Sequence, residues 1–418
     1  MSLLFPALQK FYNALRLLNQ FSVEKSFFEN IGCLDTFLTE YRSVTFALQK
    51  SLGRKDDPIY IKNRNEFLAK DKNISDWFID NRNVVDHEHP FKLKKQLRVV
   101  IYDTHSSVEF KKYEQTVEKD SPEGDYLTSI RNTILSVAAP EIYFSAQYVF
   151  VDEDDNKETN IFDFIDKGIV AMWRFLHAMK TDLGDNSEVC NKLMTEVDGM
   201  VRDMPQRWMI DSMDYCYYRS TDSFERGESF TMMLPDIRIP KRVFMSQIDS
   251  MGIKAADFYE GFIYFHTFAY LGQQRNLLTT FFIEYTDGTY QTIAFSGSLR
   301  TTIYRYINRV AGIVAENDIA NVYLVAETVG YGGFDKRQMG NFLQLNYDEK
   351  RQYRVKTFLS FIRISVGGLV TPFVIDTDTL VDRLSVSVAM GNLKNGGNYH
   401  IFDVMLTPII NSFKKKKN

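Results

Sequence analysis

The stretch Asp80-Asn81-Arg82-Asn83-Val84-Val85-Asp86-His87-Glu88-His89-Pro90 closes a helical segment and marks where the chain changes period. Before it, apolar residues recur at three- and four-residue spacing. Beyond it, from Leu97, short runs rich in Val, Ile, Tyr and Phe read as strands. Pro90 disfavours helix in the residue before it and so ends the element.

Reading backwards from Pro90, a third helix is expected over Arg64–His89, with Phe67, Ile74, Trp77, Phe78 and Val85 inward. The second starts near Ser22 and carries Ile31, Leu34, Leu38, Tyr41, Thr45, Leu48 and Leu52, the strongest helical period in the chain. Gly53 stops it. The first covers Pro6–Asn19, with Leu8, Phe11, Leu15 and Leu18 on one face.

Forwards, Lys92, Lys94, Lys95 and Arg98 form a basic run, which is commonly a solvated face. Strands are expected at Val99–Tyr102, Val108–Val117 and Glu141–Val151, an inserted sheet whose exit loop is the acidic run Asp152-Glu153-Asp154-Asp155. Helices follow over Asn160–Leu183 and Glu188–Met204, then a linker between Pro205 and Pro240. His177 reads as structural.

The second half opens on an aromatic helix, Ser246–Tyr270, in which His266 reads as a core histidine. Thr279–Tyr285 and Thr289–Phe295 form a hairpin about Thr286-Asp287-Gly288. Ser298 is expected to cap a helix running to Asn317. Further strands are expected at Asn321–Thr328, Leu343–Tyr347, Val355–Ile364 and Val370–Ile375. The fold class is therefore α+β: residues 1–215 form a helical domain with a β insertion at about 92–152, and residues 216–418 form a mixed sheet with helices.

Composition narrows the function classes. At 418 residues two domains are the default. A net charge of −4 and a pI near 6.0 argue against a broad nonspecific nucleic-acid binder, leaving room only for a local basic cleft. Cys33, Cys190 and Cys216 lack C-x-x-C spacing, so they offer neither a disulfide framework nor a zinc site and fit a reducing cytosol. No run approaches the roughly 18 apolar residues of a membrane span, and no basic, apolar leader is present. Gly330-Tyr331-Gly332-Gly333 lacks the Lys-Ser/Thr of a P-loop. Glu284 and Glu327, near strand ends, lack the companions of a metal-dependent nuclease. The closing Lys414-Lys415-Lys416-Lys417 reads as a solvated terminus.

Arg82 and His87 remain as the candidate chemistry. Imidazole exchanges protons near neutral pH. A guanidinium holds a phosphate through paired hydrogen bonds as charge accumulates on it. Positions five apart on a helix point about 140° apart, so one helix makes an imperfect site, whereas two copies about a two-fold axis can share a complete one. A plainer reading also fits: Asp86, four residues after Arg82, pairs with it along the helix, and His87 is a surface charge complementing the helix dipole.

The arrangement R-N-x-x-x-H over Arg82–His87 resembles the signature of the HEPN superfamily, over the first half of the chain. That resemblance implies a metal-independent endoribonuclease with no cofactor, acting as a homodimer on RNA in a toxin or antiphage-defence setting. It makes His87 the general acid/base, Arg82 the phosphate clamp and Asn83 an orienting group. The second domain would sense a trigger or bind a regulatory protein partner. The alternative is a noncatalytic HEPN-like dimeric scaffold.

Overall fold

The computed structural model describes residues 2–22, 25–54, 56–116, 123–153, 159–209, 212–233, 238–273, 277–332, 342, 345, 349–350, 352–393 and 404–416. Among these, twelve α-helices and two antiparallel sheets make an α+β protein. The chain divides into two compact units, Met1–Arg98 with Tyr113–Ile130 and Gln147–Ser212, and Val99–Lys112 with Arg131–Ala146 and Met213–Asn418. Residues 99–112 and 131–146, expected within the insertion of the first domain, cluster with the second unit.

The elements begin with α1 (Phe5–Leu18), α2 (Phe27–Leu52), α3 (Pro58–Asn63) and α4 (Lys72–His87). Then come β1 (Leu93–Tyr102), β2 (Glu109–Thr116), α5 (Glu123–Leu135), β3 (Glu141–Asp152), α6 (Ile161–Leu183) and α7 (Glu188–Met209). The helical period of α1 and α2 is reproduced as burial: Leu8, Phe11, Leu15 and Leu18 are fully enclosed, as are Leu34, Leu38 and Leu48 to within 1%. Ser26 caps α2 through a reciprocal box with Glu29, so the helix starts four residues later than Ser22 suggested. Gly53 closes it with φ of +73°, a conformation a side chain would resist.

The third helix is not continuous. Asp57 accepts the amides of Ile59 and Tyr60 to start α3, Arg64–Leu68 winds as a π turn, and Asp71 accepts the Ile74 amide to start α4 afresh. Side-chain caps at both aspartates compete with continuing the helix, and they win. The expected insertion holds a helix, α5, besides its strands. Helix α7 runs past Pro205.

Depth in the first unit is set where α2, α4 and α6 meet. Tyr41 stacks on Phe78 at 4.1 Å and donates its hydroxyl to the Gly168 carbonyl at 2.7 Å. A Cβ on Gly168 would lie 2.0 Å from the Phe78 ring, so only glycine lets α6 approach α4 this closely. Trp77 lies flat on Phe164 at 5.3 Å. His177 bonds to Asp198 at 2.7 Å, as does Trp173.

The second unit opens with strands where a linker was expected: β4 (Ser212–Tyr218), β5 (Ser223–Gly227), β6 (Ser229–Met233) and β7 (Ile239–Pro240). β4 and β5 pair with each other as a hairpin, Tyr218 facing Ser223, whereas β6 and β7 are set by a distant strand: Thr231 faces Phe295 across β6 and its neighbour. After α8 (Lys241–Ser250) and α9 (Phe258–Gly272) come β8 (Thr279–Tyr285), β9 (Thr289–Gly297), α10 (Arg300–Glu316), β10 (Ile319–Tyr331), β11 (Arg354–Ser365), β12 (Leu369–Asp376), α11 (Arg383–Leu393) and α12 (Thr407–Lys415). One sheet runs β12-β11-β10-β8-β9-β6, the other β2-β1-β3-β4-β5.

The expected aromatic helix is two helices. Asp257 accepts the Glu260 amide at 2.8 Å and restarts the chain as α9. Its aromatic face packs on the larger sheet, with Phe262 4.9 Å from Phe282, and His266 lies against both rings, 4% exposed. Ser298 does not cap α10; its hydroxyl accepts the Glu228 amide instead. The strand expected over 343–347 lies, Leu345 apart, outside the described residues, as do Asp154, Asp155, Gly333 and Lys417. Cys33, Cys190 and Cys216 are buried free thiols. No helix among the described residues is long and apolar enough to cross a membrane.

Candidate functional site

Helix α4 carries Arg82, Asn83 and His87 in its last turns, and α2 fixes that end of α4 from the side. Thr39 of α2 donates to the Asp86 carboxylate at 2.9 Å. One turn earlier, Asp35 accepts the Phe91 amide at 3.0 Å, tying down the chain just beyond Pro90. Burial pushes the Asp35 carboxyl above its ordinary value, although the Phe91 amide pulls the other way. The two side chains are four residues apart on one face of α2, so they clasp the end of α4 on both sides of its last residue.

Asp86 then holds Arg82 at 2.7 Å, four residues apart along α4. The guanidinium also donates from Nη1 to the Asn83 side chain at 3.3 Å. Its Nε is shut off from solvent with no acceptor among the described residues. Arg82 is thus oriented by Asp86, Asp86 by Thr39, and Asn83 contacts the guanidinium.

His87 is exposed, the last residue of α4. Among the described residues it shares no hydrogen bond or ion pair with Arg82 or Asn83. That separation follows from the five-residue spacing: one side chain turns toward α2 and the other into solvent. The next imidazole, His89, contacts the Pro90 carbonyl through Nδ1 at 2.9 Å.

Against the first half of α4 lies a cavity of about 40 Å³, lined by Tyr41, Arg42, Ser75, Phe78, Gly168 and Met172 among others. It has room for water and not for a nucleobase. Arg42 stands in its wall, three residues along α2 from Thr39. Burial pulls the Arg42 guanidinium below its ordinary value, and those of Arg64 and Arg82 add to this against the opposing effect of Tyr60.

Reading the sequence singled out Arg82, Asn83 and His87 but not Thr39, Asp35 or Arg42. Thr39 and Asp86 are 47 residues apart, and no local pattern signals such a contact. Glu284, weighed as a strand-end ligand, is committed elsewhere: it accepts from Lys241, Asn321 and Tyr323. Those donors hold its carboxyl below its ordinary value despite burial, which opposes them. Among the described residues no three His, Cys, Asp or Glu side chains gather as a metal site. No family model, no curated protein and no solved structure matches the chain.

Proposed function

We propose that the protein is a HEPN-type endoribonuclease that cleaves RNA without a metal, as a cytosolic homodimer of the toxin or antiphage-defence kind. One observation carries the reading: the R-N-x-x-x-H residues end a helix whose guanidinium is held in place while its imidazole, at the last position, is open to solvent. In this reading His87 takes the proton of the ribose 2′-hydroxyl as that oxygen bonds to phosphorus. The bond from phosphorus to the 5′-oxygen breaks, and the leaving oxygen takes a proton from the second subunit's imidazolium. Arg82 faces the phosphate as its charge grows, and Asn83 orients the guanidinium. A cyclic phosphate and a 5′-hydroxyl result.

A second reading rests on the Arg82–Asp86 pair itself. A guanidinium already bound by a carboxylate that Thr39 anchors is also what an interface or scaffold residue looks like. The two readings separate when the parent, Arg82→Ala and His87→Ala are incubated with transfer RNA in chelator. The ribonuclease reading expects the parent to cleave and each variant to lose about 10²- to 10⁴-fold. Cleavage surviving both substitutions removes the assignment, and no cleavage by any of the three favours the scaffold.

A further inference from the structure

Helix α2 presents a second set of side chains beside the Arg82–Asp86 pair. Thr39, Arg42, Phe46 and Lys50 follow one another at three- and four-residue spacing, so they form one stripe along the helix. Because Thr39 binds Asp86, the stripe begins at the end of α4 that carries Arg82 and His87. From Arg42 to Lys50 it runs about 12 Å at the helical rise.

Beyond Thr39, the stripe is not committed to any carboxylate among the described residues. Arg42 lies over the Phe46 ring at 5.1 Å. Neither Arg42 nor Lys50 has an acid within ion-pair distance among the described residues, whereas Lys10, Arg54, Lys62 and Arg82 each do. Phe46 is 49% exposed, with one face against the guanidinium. Arg64, exposed on the π turn, and Arg82 add further positive charge around Arg42. Like charges gathered with their nearest carboxylate already used are neutralised by an anion from outside, and an open ring between two cations suits an unpaired base.

We infer that the Arg42-Phe46-Lys50 stripe of α2 is a track for single-stranded RNA, in which the two cations take phosphates and one base stacks on Phe46. The track rests on the reading of Arg82 and His87 as the cleavage site, and it deepens that reading by naming an unpaired strand as substrate. It also agrees with a net charge of −4, since a track of two or three cations needs no basic surface overall.

The test titrates the His87→Ala protein with labelled oligouridylate, in chelator, across a series of KCl concentrations. Adding Arg42→Ala is expected to weaken binding about tenfold and to flatten the log–log salt slope by about 0.7. Arg42→Lys restores the slope, and this also excludes misfolding as the cause. Adding Phe46→Ala weakens binding about tenfold at every salt concentration without changing the slope. Binding unchanged in both Arg42→Ala and Phe46→Ala overturns the track, as does preference for duplex over single strand. Base-free polyphosphate that competes equally well with and without Phe46 also overturns it, and points to a general anion surface or an acidic protein partner. The two readings fail separately: cleavage that needs His87 but ignores the stripe variants at limiting RNA removes only the track, whereas stripe-dependent binding without His87-dependent cleavage removes only the nuclease.

Discussion

Arg82 in the first unit and Arg305 in the second are each paired with an aspartate, and the settings differ. Arg305 grips Asp214 with Nε and Nη2, both at 2.9 Å, and Thr302 adds a third bond to the same carboxylate. There the side chains are 13% and 0% exposed; for Arg82 and Asp86 the figures are 28% and 20%. The histidines divide in the same way. His266 is sealed among Phe262, Phe265 and Phe282, while His87 stands in solvent. A group locked into a core has one partner for good, so it serves stability. A half-open guanidinium on the same helix end as an exposed imidazole can still exchange its partner for a ligand, and this is why the proposed chemistry is assigned to the first unit.

The comparison can be broken most forcibly at Asp214. Asp214→Ala leaves Arg305 charged and buried, and a loss of about 3–5 kcal/mol is expected by denaturant unfolding. A loss below about 1 kcal/mol would mean that the second unit's pair is no more committed than the first's.

The pH dependence of stability is the next largest effect. Burial among the rings lowers His266 to about 4, against which its bond to the Phe262 carbonyl is a minor opposing pull. In the unfolded chain the imidazole takes its proton near 6.5. Proton uptake therefore favours unfolding as pH falls from 6.5 towards 4, removing about 3 kcal/mol across that window. Thermal melts of the parent and of His266→Leu measure it: the variant's melting temperature should depend less on pH there. Parallel curves for the two proteins would show that His266 is not sealed.

The smallest effect sharpens the contrast. Asp86→Asn removes the charge that holds Arg82, and unfolding should register only about 0.5 kcal/mol. RNA affinity should rise two- to threefold or so, because the guanidinium no longer has a competing carboxylate. A fall in affinity would show that the orienting hold of Asp86 on Arg82 outweighs its competition with the phosphate.

Much of this architecture was legible because its signals are local. The inward faces of α1, α2 and α6 follow their apolar spacing, Gly53 ends α2, and Asp287-Gly288 turns β8 into β9. Where the reading misplaced boundaries, a short polar side chain had captured nearby amides, as Asp71 and Asp257 do at the starts of α4 and α9. The strands of the linker region are unread for another reason: β6 is held by β9, at least 60 residues away, and its five residues alternate over only four positions, too short a run to mark a strand.

At the candidate site the sequence alone supplied the residue types and the five-residue interval of Arg82 and His87, hence their divergence on α4, because helical geometry is fixed by the backbone. It also supplied Asp86 at the right distance for an ion pair. Tertiary structure decided which element braces that helix end, through Thr39 on Asp86, and seated α2 on α6 through Tyr41 on the Gly168 carbonyl, and so brought the Arg42 stripe of α2 beside Arg82. A hydrogen bond across 47 or 127 residues depends on the path of the whole intervening chain, and no short window of sequence encodes that path.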